Sequence, residues 1–101
     1  MDKLSVIMPC FILNEEILVL TQNAIDSLGD VHLIIIDNAS PAGGGLLRDR
    51  ADLYIRNKSN LGYAIAVNEG IKLSKNEFIA IANNDIRVSK NWQEVTQEII
   101  K

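Results

Sequence analysis

Several features that mark large function classes are scarce or absent in this 101-residue sequence. It has one cysteine, Cys10, so no intramolecular disulfide can form and no paired-cysteine zinc site exists. That usage points to a reducing, cytoplasmic setting. Its one histidine, His32, has no ligand partner at a metal-binding spacing and reads as a strand-entry residue. Basic residues are not in excess: ten stand against thirteen acidic ones, for a net charge of −3. With no basic stripe, tracking of a nucleic-acid backbone and docking on anionic lipid through a polybasic patch are both excluded. No apolar run approaches the roughly 20 residues that span a bilayer. Met1-Asp2-Lys3 leads straight into a strand-like run rather than a cleavable signal peptide.

What remains is a globular composition. The chain is 48% hydrophobic and 23% charged, too apolar and too weakly charged for a disordered segment. A chain of this length buries roughly two thirds of its unfolded surface, enough for one core. No repeat, low-complexity tract or interdomain linker interrupts residues 1–101, which read as one domain.

Four short apolar runs alternate with amphipathic segments. Leu4–Met8 is closed by Pro9; Leu33–Ile36 ends at Asp37-Asn38; Leu53–Arg56 alternates in polarity; Phe78–Ala82 ends at Asn83-Asn84-Asp85. Runs that are apolar throughout suit parallel strands covered on both faces, and the alternating third run suits an edge. A first helix is predicted after Asn14 as N-cap, with Glu15 and Glu16 in its first turn. Ile17, Leu20, Ala24 and Leu28 form its stripe, and Gly29 stops it. Pro41–Gly45 reads as a flexible connection, followed by one helical turn over Leu46–Ala51. A further helix over Tyr63–Leu73 is expected to bury Ala64, Val67 and Ile71, and the last, from Ser89, to bury Trp92, Val95 and Ile99. This βα repetition predicts an α/β, three-layer α/β/α domain on a parallel sheet of about four strands with right-handed crossovers.

Ligands of open parallel sheets bind outside the carboxyl ends of the strands, and the polar residues concentrate there. Pro9-Cys10-Phe11, Asp37-Asn38-Ala39-Ser40, Asn57–Asn60 and Asn83-Asn84-Asp85 each follow a strand. Asp37 reads either as an acceptor for a ribose or base, or as a turn residue that caps the following backbone. Asn83-Asn84-Asp85 is either an oxygen-rich set for a hard divalent cation or an Asn/Asp-rich turn. Phe11 can stack on a planar base or plug the core. Cys10 has no local base to make it a nucleophile. Gly43-Gly44-Gly45 fits neither GxGxxG nor GxxxxGK[ST].

At these strand ends the sequence resembles the family 2 glycosyltransferases of GT-A fold, which use nucleotide-diphosphate sugars. Leu4–Phe11 (LSVIMPCF) is similar to that family's opening strand, and Leu33–Ser40 (LIIIDNAS) to its second. Asn60–Gly70 (NLGYAIAVNEG) follows the family's N-x-G-x-a-x-a-x-N-x-G pattern. Ile79–Asp85 (IAIANND) is similar to the strand ending in its DxD-like motif. The blocks occur in order and cover nearly the whole chain. The resemblance implies strand order 3-2-1-4, with Pro9 and Phe11 flanking the nucleobase and Asp37 and Asn38 near base or ribose. It implies that Asn60 and Gly62 shape the pocket, that Asn68 faces the sheet and ties its helix to the strand-end loops, and that Asn83 supports Asp85. Asp85 would be the ligand of a Mg²⁺ or Mn²⁺ that neutralises the departing nucleoside diphosphate.

Three departures accompany the likeness. Ile12-Leu13 lengthen the first loop, the acidic motif keeps one carboxylate, and the chain stops one helix after it. The acceptor site and general base of the family come later, so these residues are expected to hold the nucleotide-sugar-binding half of an inverting transferase, incomplete at its C-terminus and without a catalytic residue of its own. The alternative is a non-catalytic nucleotide-sugar-binding or assembly module. An oxidoreductase would need a Gly-rich turn where Pro9-Cys10-Phe11 stands, and a phospho-receiver would need acidic residues there. In the implied order Phe78–Ala82 is an edge with no guarding charge, so a cover is expected: further chain or a second copy, forming a homodimer.

Overall fold

All four apolar runs pair in parallel, in the order β3-β2-β1-β4, in a computed structural model of the chain that describes residues 4–100. The expectation attached to Met1-Asp2-Lys3 lies outside the described residues. The elements follow as β1 (Ser5–Cys10), α1 (Glu15–Leu28), β2 (His32–Asp37), α2 (Gly44–Arg50), β3 (Leu53–Arg56), α3 (Tyr63–Leu73), β4 (Ile79–Ile81) and α4 (Trp92–Ile100). The sheet is α/β in the expected order 3-2-1-4.

β1 and β2 are central, and their apolar residues are buried on both faces, which is why those runs do not alternate. Val6, Met8, Leu33 and Ile35 point to one layer, where Ala24, Ile25 and Leu28 of α1 and Leu47 of α2 cover them. Ile7, Ile34 and Ile36 point to the other, under Ala66 of α3. Each such aliphatic side chain gains about 1.5–3 kcal/mol on full burial. β1 runs two residues further than Met8, through Pro9, which sits opposite Ile36. Ile7 offers its carbonyl to Ala82 on the β4 side, so Pro9, two residues on, turns its missing donor to that side beyond the end of β4, where no ladder bond is lost.

Several predicted helix faces are corrected. In α1 the buried position next to Leu20 belongs to Thr21, and Leu20 is exposed. The Thr21 hydroxyl donates to the Ile17 carbonyl at 2.8 Å, which lets a polar residue occupy the core. The glycine-rich stretch is no flexible connection: Gly43, at φ 76°, turns the chain and α2 begins at Gly44, held down by the fully buried Leu47. α3 buries Ala66, Val67 and Gly70, whereas Ala64 and Ile71 are exposed. Gly70 lies against the side chain of Ile7 with no room for a Cβ, and this close approach selects the stripe.

At the C-terminal end only Trp92 of the expected α4 stripe is packed on the core; Val95 is exposed and Ile99 is 77% exposed. Trp92 Nε1 and Gln93 Nε2 both donate to the carbonyl of Leu28, at 3.0 and 2.7 Å, and so cap the C-terminus of α1. β4 is one residue shorter at each end than predicted and pairs only with β1. Its Phe78 flank and Ile81 are exposed, the latter by 47%, and no strand lies on its outer side among the described residues.

Candidate functional site

The carboxyl ends of β1, β2 and β4 and the loop before α3 enclose a cleft of about 290 Å³. Pro9, Phe11, Asn38, Asn60 and Gly62 line it, together with Cys10, Tyr63 and Asn84. Five of the predicted residues therefore meet in one place. A larger groove of about 460 Å³ opens at the opposite rim, between His32, Asp52, Leu53, Leu73, Lys75 and Asn76. The smaller cleft is the candidate site, because it lies where parallel sheets bind ligands and gathers the strand-end loops.

Each wall has a local cause. Asn14 caps α1 by accepting from Ile17 N at 3.0 Å, which ends the loop that carries Phe11. That loop is tied to the next one by Ile12 N, which donates to Ser40 Oγ at 2.8 Å. Gly62 has φ 91° and ψ 168°, a region open essentially to glycine alone, and its N–H donates to Asn60 Oδ1 at 3.0 Å. This turn starts α3 beside the cleft and leaves Tyr63 exposed at its rim. Asn84 is fixed by donating to Thr21 Oγ1 at 3.0 Å.

Asp37 lies behind the cleft rather than in its lining, with 0% exposure. Ser40 N donates to its Oδ1 at 2.9 Å, while Tyr54 Oη and Arg56 Nη1 donate to Oδ2 at 2.5 and 2.9 Å. Parallel register sets Arg56 directly opposite Asp37, and Tyr54 lies two residues earlier on the same face. Arg56 also donates to the Ser40 carbonyl at 3.1 Å, and Arg48 of α2 lies over the Tyr54 ring at 5.3 Å. The carboxylate thus works in this arrangement as the cap of the Asp37–Ser40 turn, where Ala39 takes the left-handed φ of 63°. Burial, and then the hydrogen bond to Asp37, raise the Tyr54 pKa. Burial, reinforced by the charge of Asp37, pushes the Cys10 thiol up to about 12, so it stays protonated and unreactive.

The remaining predicted residues stand apart from the cleft. Asn68 is exposed and does not face the sheet, a consequence of the shifted α3 stripe. Its neighbour Glu69 makes the tie instead, accepting from Asn57 Nδ2 at 2.8 Å. Asn83 and Asp85 are exposed after β4, and of their motif Asn84 lines the cleft. No group of three or more His, Cys, Asp or Glu is poised for a metal among the described residues. The donor set at 83–85 is one carboxylate and two amides, hard oxygen donors suited to a cation that takes its other ligands from phosphate and water. Sequence reasoning placed Asn57 and Asn84 at the strand-end rim only as members of polar segments, without individual roles, and missed Tyr63 and Glu69. The aromatic directly after Gly62 was the one legible signal, since an aromatic at a ligand-facing turn is a stacking surface.

Residues 5–101 match the family model described as Glycosyl transferase family 2. No curated protein matches the sequence. Among solved structures, the crystal structure of S. aureus TarS 1-349 is similar, with a TM-score of 0.80 and 18% sequence identity. The match covers 98% of this chain and 32% of that one, so the chain spans about a third of that structure's length. At this identity the likeness is one of fold. No helix among the described residues is long and apolar enough to cross a membrane.

Proposed function

The chain belongs to glycosyl transferase family 2, and from that premise we propose that its strand-end cleft binds the nucleoside diphosphate of a sugar donor for inverting transfer to an acceptor hydroxyl. The observation that carries this reading is the convergence of Pro9, Phe11, Asn38, Asn60 and Gly62 on one cleft at the carboxyl end of the sheet. Phe11 and Tyr63 offer two exposed aromatic faces for a base. The amide of Asn38 and the glycine backbone at Gly62 supply polar contacts without a bulky side chain, so the ligand can approach the main chain closely. Asp37 serves this site from behind, by holding the Asp37–Ser40 turn and, through Ser40, the loop next to Phe11.

Asp85, supported by Asn83, would hold a Mg²⁺ or Mn²⁺ jointly with the diphosphate. When bound, such a cation neutralises charge on the departing diphosphate. One protein carboxylate gives weak affinity without the nucleotide, so metal and ligand bind together. The residues assigned here position the donor; none of them takes the proton from the acceptor.

Calorimetric titration of the chain with uridine, guanosine and thymidine diphosphates in the presence of Mn²⁺ tests the reading. Binding of at least one is expected, with dependence on Mn²⁺ that Asp85→Ala removes. A folded chain that binds none of the three overturns it.

A further inference from the structure

Four polar groups join the end of β2, the end of β3 and the body of α3. Asn57 Nδ2 donates to Asn38 Oδ1 at 2.9 Å and to Glu69 Oε1 at 2.8 Å. Asn38 Nδ2 donates in turn to the carbonyl of Gly62 at 3.1 Å. The two termini of this chain of bonds, a carboxylate and a backbone carbonyl, are acceptors only. They leave both amides a single consistent orientation: Gly62 requires the NH₂ of Asn38, whose oxygen then requires the NH₂ of Asn57, and Glu69 takes the second hydrogen of that group. Asn38 is nearly fully buried and lines the cleft, while Glu69 lies about two helical turns beyond Gly62 and outside it.

Resting on the proposed reading of the cleft, we infer that Glu69 and Asn57 are positioning residues that fix the amide of Asn38 and the Gly62 turn for nucleotide binding. With Oδ1 engaged by Asn57 and one N–H by Gly62, Asn38 has one N–H left, and the ligand atom it meets is an acceptor: a carbonyl oxygen of a base or an oxygen of the ribose. Removing the carboxylate at 69 leaves Asn57 free to rotate, so the Asn38 oxygen loses its fixed donor and the amide is held from one side alone, by the Gly62 carbonyl. Substitution by Gln keeps an acceptor oxygen at the same reach and so keeps the network.

The test compares Glu69→Leu, Glu69→Gln and Asn57→Asp in the full 101-residue chain. Two readouts are taken well below the melting temperature: nucleoside diphosphate affinity by calorimetry, and the side-chain amide signals of Asn38 in ¹⁵N NMR spectra. Glu69→Leu is expected to shift the Asn38 signals and weaken binding about tenfold, the loss expected for one hydrogen bond in a polar network. Glu69→Gln should stay within about twofold of the parent. Asn57→Asp preserves size while turning both donors into acceptors, and is expected to match or exceed the Leu variant; it also decides the matter if Glu69→Leu does not fold. A Leu or Asp variant with parental affinity and unmoved Asn38 signals overturns the inference. If the parent chain binds no nucleoside diphosphate, the proposed function fails, and the Asn38 signals alone then decide the network: unmoved signals refute it.

Discussion

Asp37 shows how a fully buried carboxylate can hold a turn beside the candidate cleft. Its carboxylate has no solvent exposure and takes donors from Ser40, Tyr54 and Arg56, so the energetic question is what happens when one of them is withdrawn. Tyr54→Phe leaves a buried charge with one donor fewer, and urea denaturation should show a loss of about 1–2 kcal/mol. The two raised pKa values make a second prediction. Tyr54 and Cys10 both hold their protons more tightly folded than unfolded. The stability this linkage contributes is complete below the unfolded values, at about 10 for Tyr and about 8.5 for Cys, and is lost as pH rises through the folded ones. Urea midpoints should therefore be level from pH 7 to about 8.5 and decline toward pH 12, and Cys10→Ala should flatten part of that decline. A stability that rises with alkaline pH would contradict the assignment. The Asp37 turn was half legible in sequence, since an Asp two residues before Ala39-Ser40 signals an Asx-type cap. Its partners Tyr54 and Arg56 lie on another strand, and no local pattern announces them.

At the scale of elements, glycines separate what packing demands from what local conformation allows. Gly70 in α3 faces Ile7 with no room for a methyl group, so Gly70→Ala must push the helix off β1. Overpacking of this kind costs about 1–3 kcal/mol. Gly45 in α2 is exposed with nothing near its would-be Cβ, and Gly45→Ala should instead stabilise by about 0.5–1 kcal/mol through helix propensity. Thermal melts of the two variants should therefore move in opposite directions, and a shared direction would refute the assigned α3 stripe. The same contact explains why the predicted face of α3 was rotated. Periodicity recognises Ala64, Val67 and Ile71 as apolar, but it cannot see that the smallest residue of the helix marks its closest approach. Thr21 in α1 misleads in the same way, because a hydroxyl that bonds its own helix is polar in sequence and apolar in effect.

For the whole molecule, the sheet has unequal margins. β3 closes one side with short, alternating residues, while β4 presents an apolar edge with Ile81 and the neighbouring Phe78 exposed. An open edge of this kind is a template for association. Sedimentation equilibrium of the isolated chain should show self-association that Ile81→Lys suppresses; a strictly monomeric parent at high concentration would contradict this. The class follows from local features that survive without tertiary information, and the strand order from the family resemblance of those segments. Continuous burial of β1 and β2 requires runs without alternation, the βα repetition requires parallel crossovers, and strand-end residues such as Pro9, Asn38 and Gly62 fall on one rim once those strands are parallel. The sequence by itself thus determined the α/β class, the family blocks and five residues of the cleft. The tertiary structure alone decided that Asp37 is sealed behind that cleft, that α3 turns Glu69 rather than Asn68 toward the strand ends, and that the glycines after β2 begin a helix. Those outcomes depend on which surfaces meet, and contact between residues distant in the chain leaves no periodic trace along it.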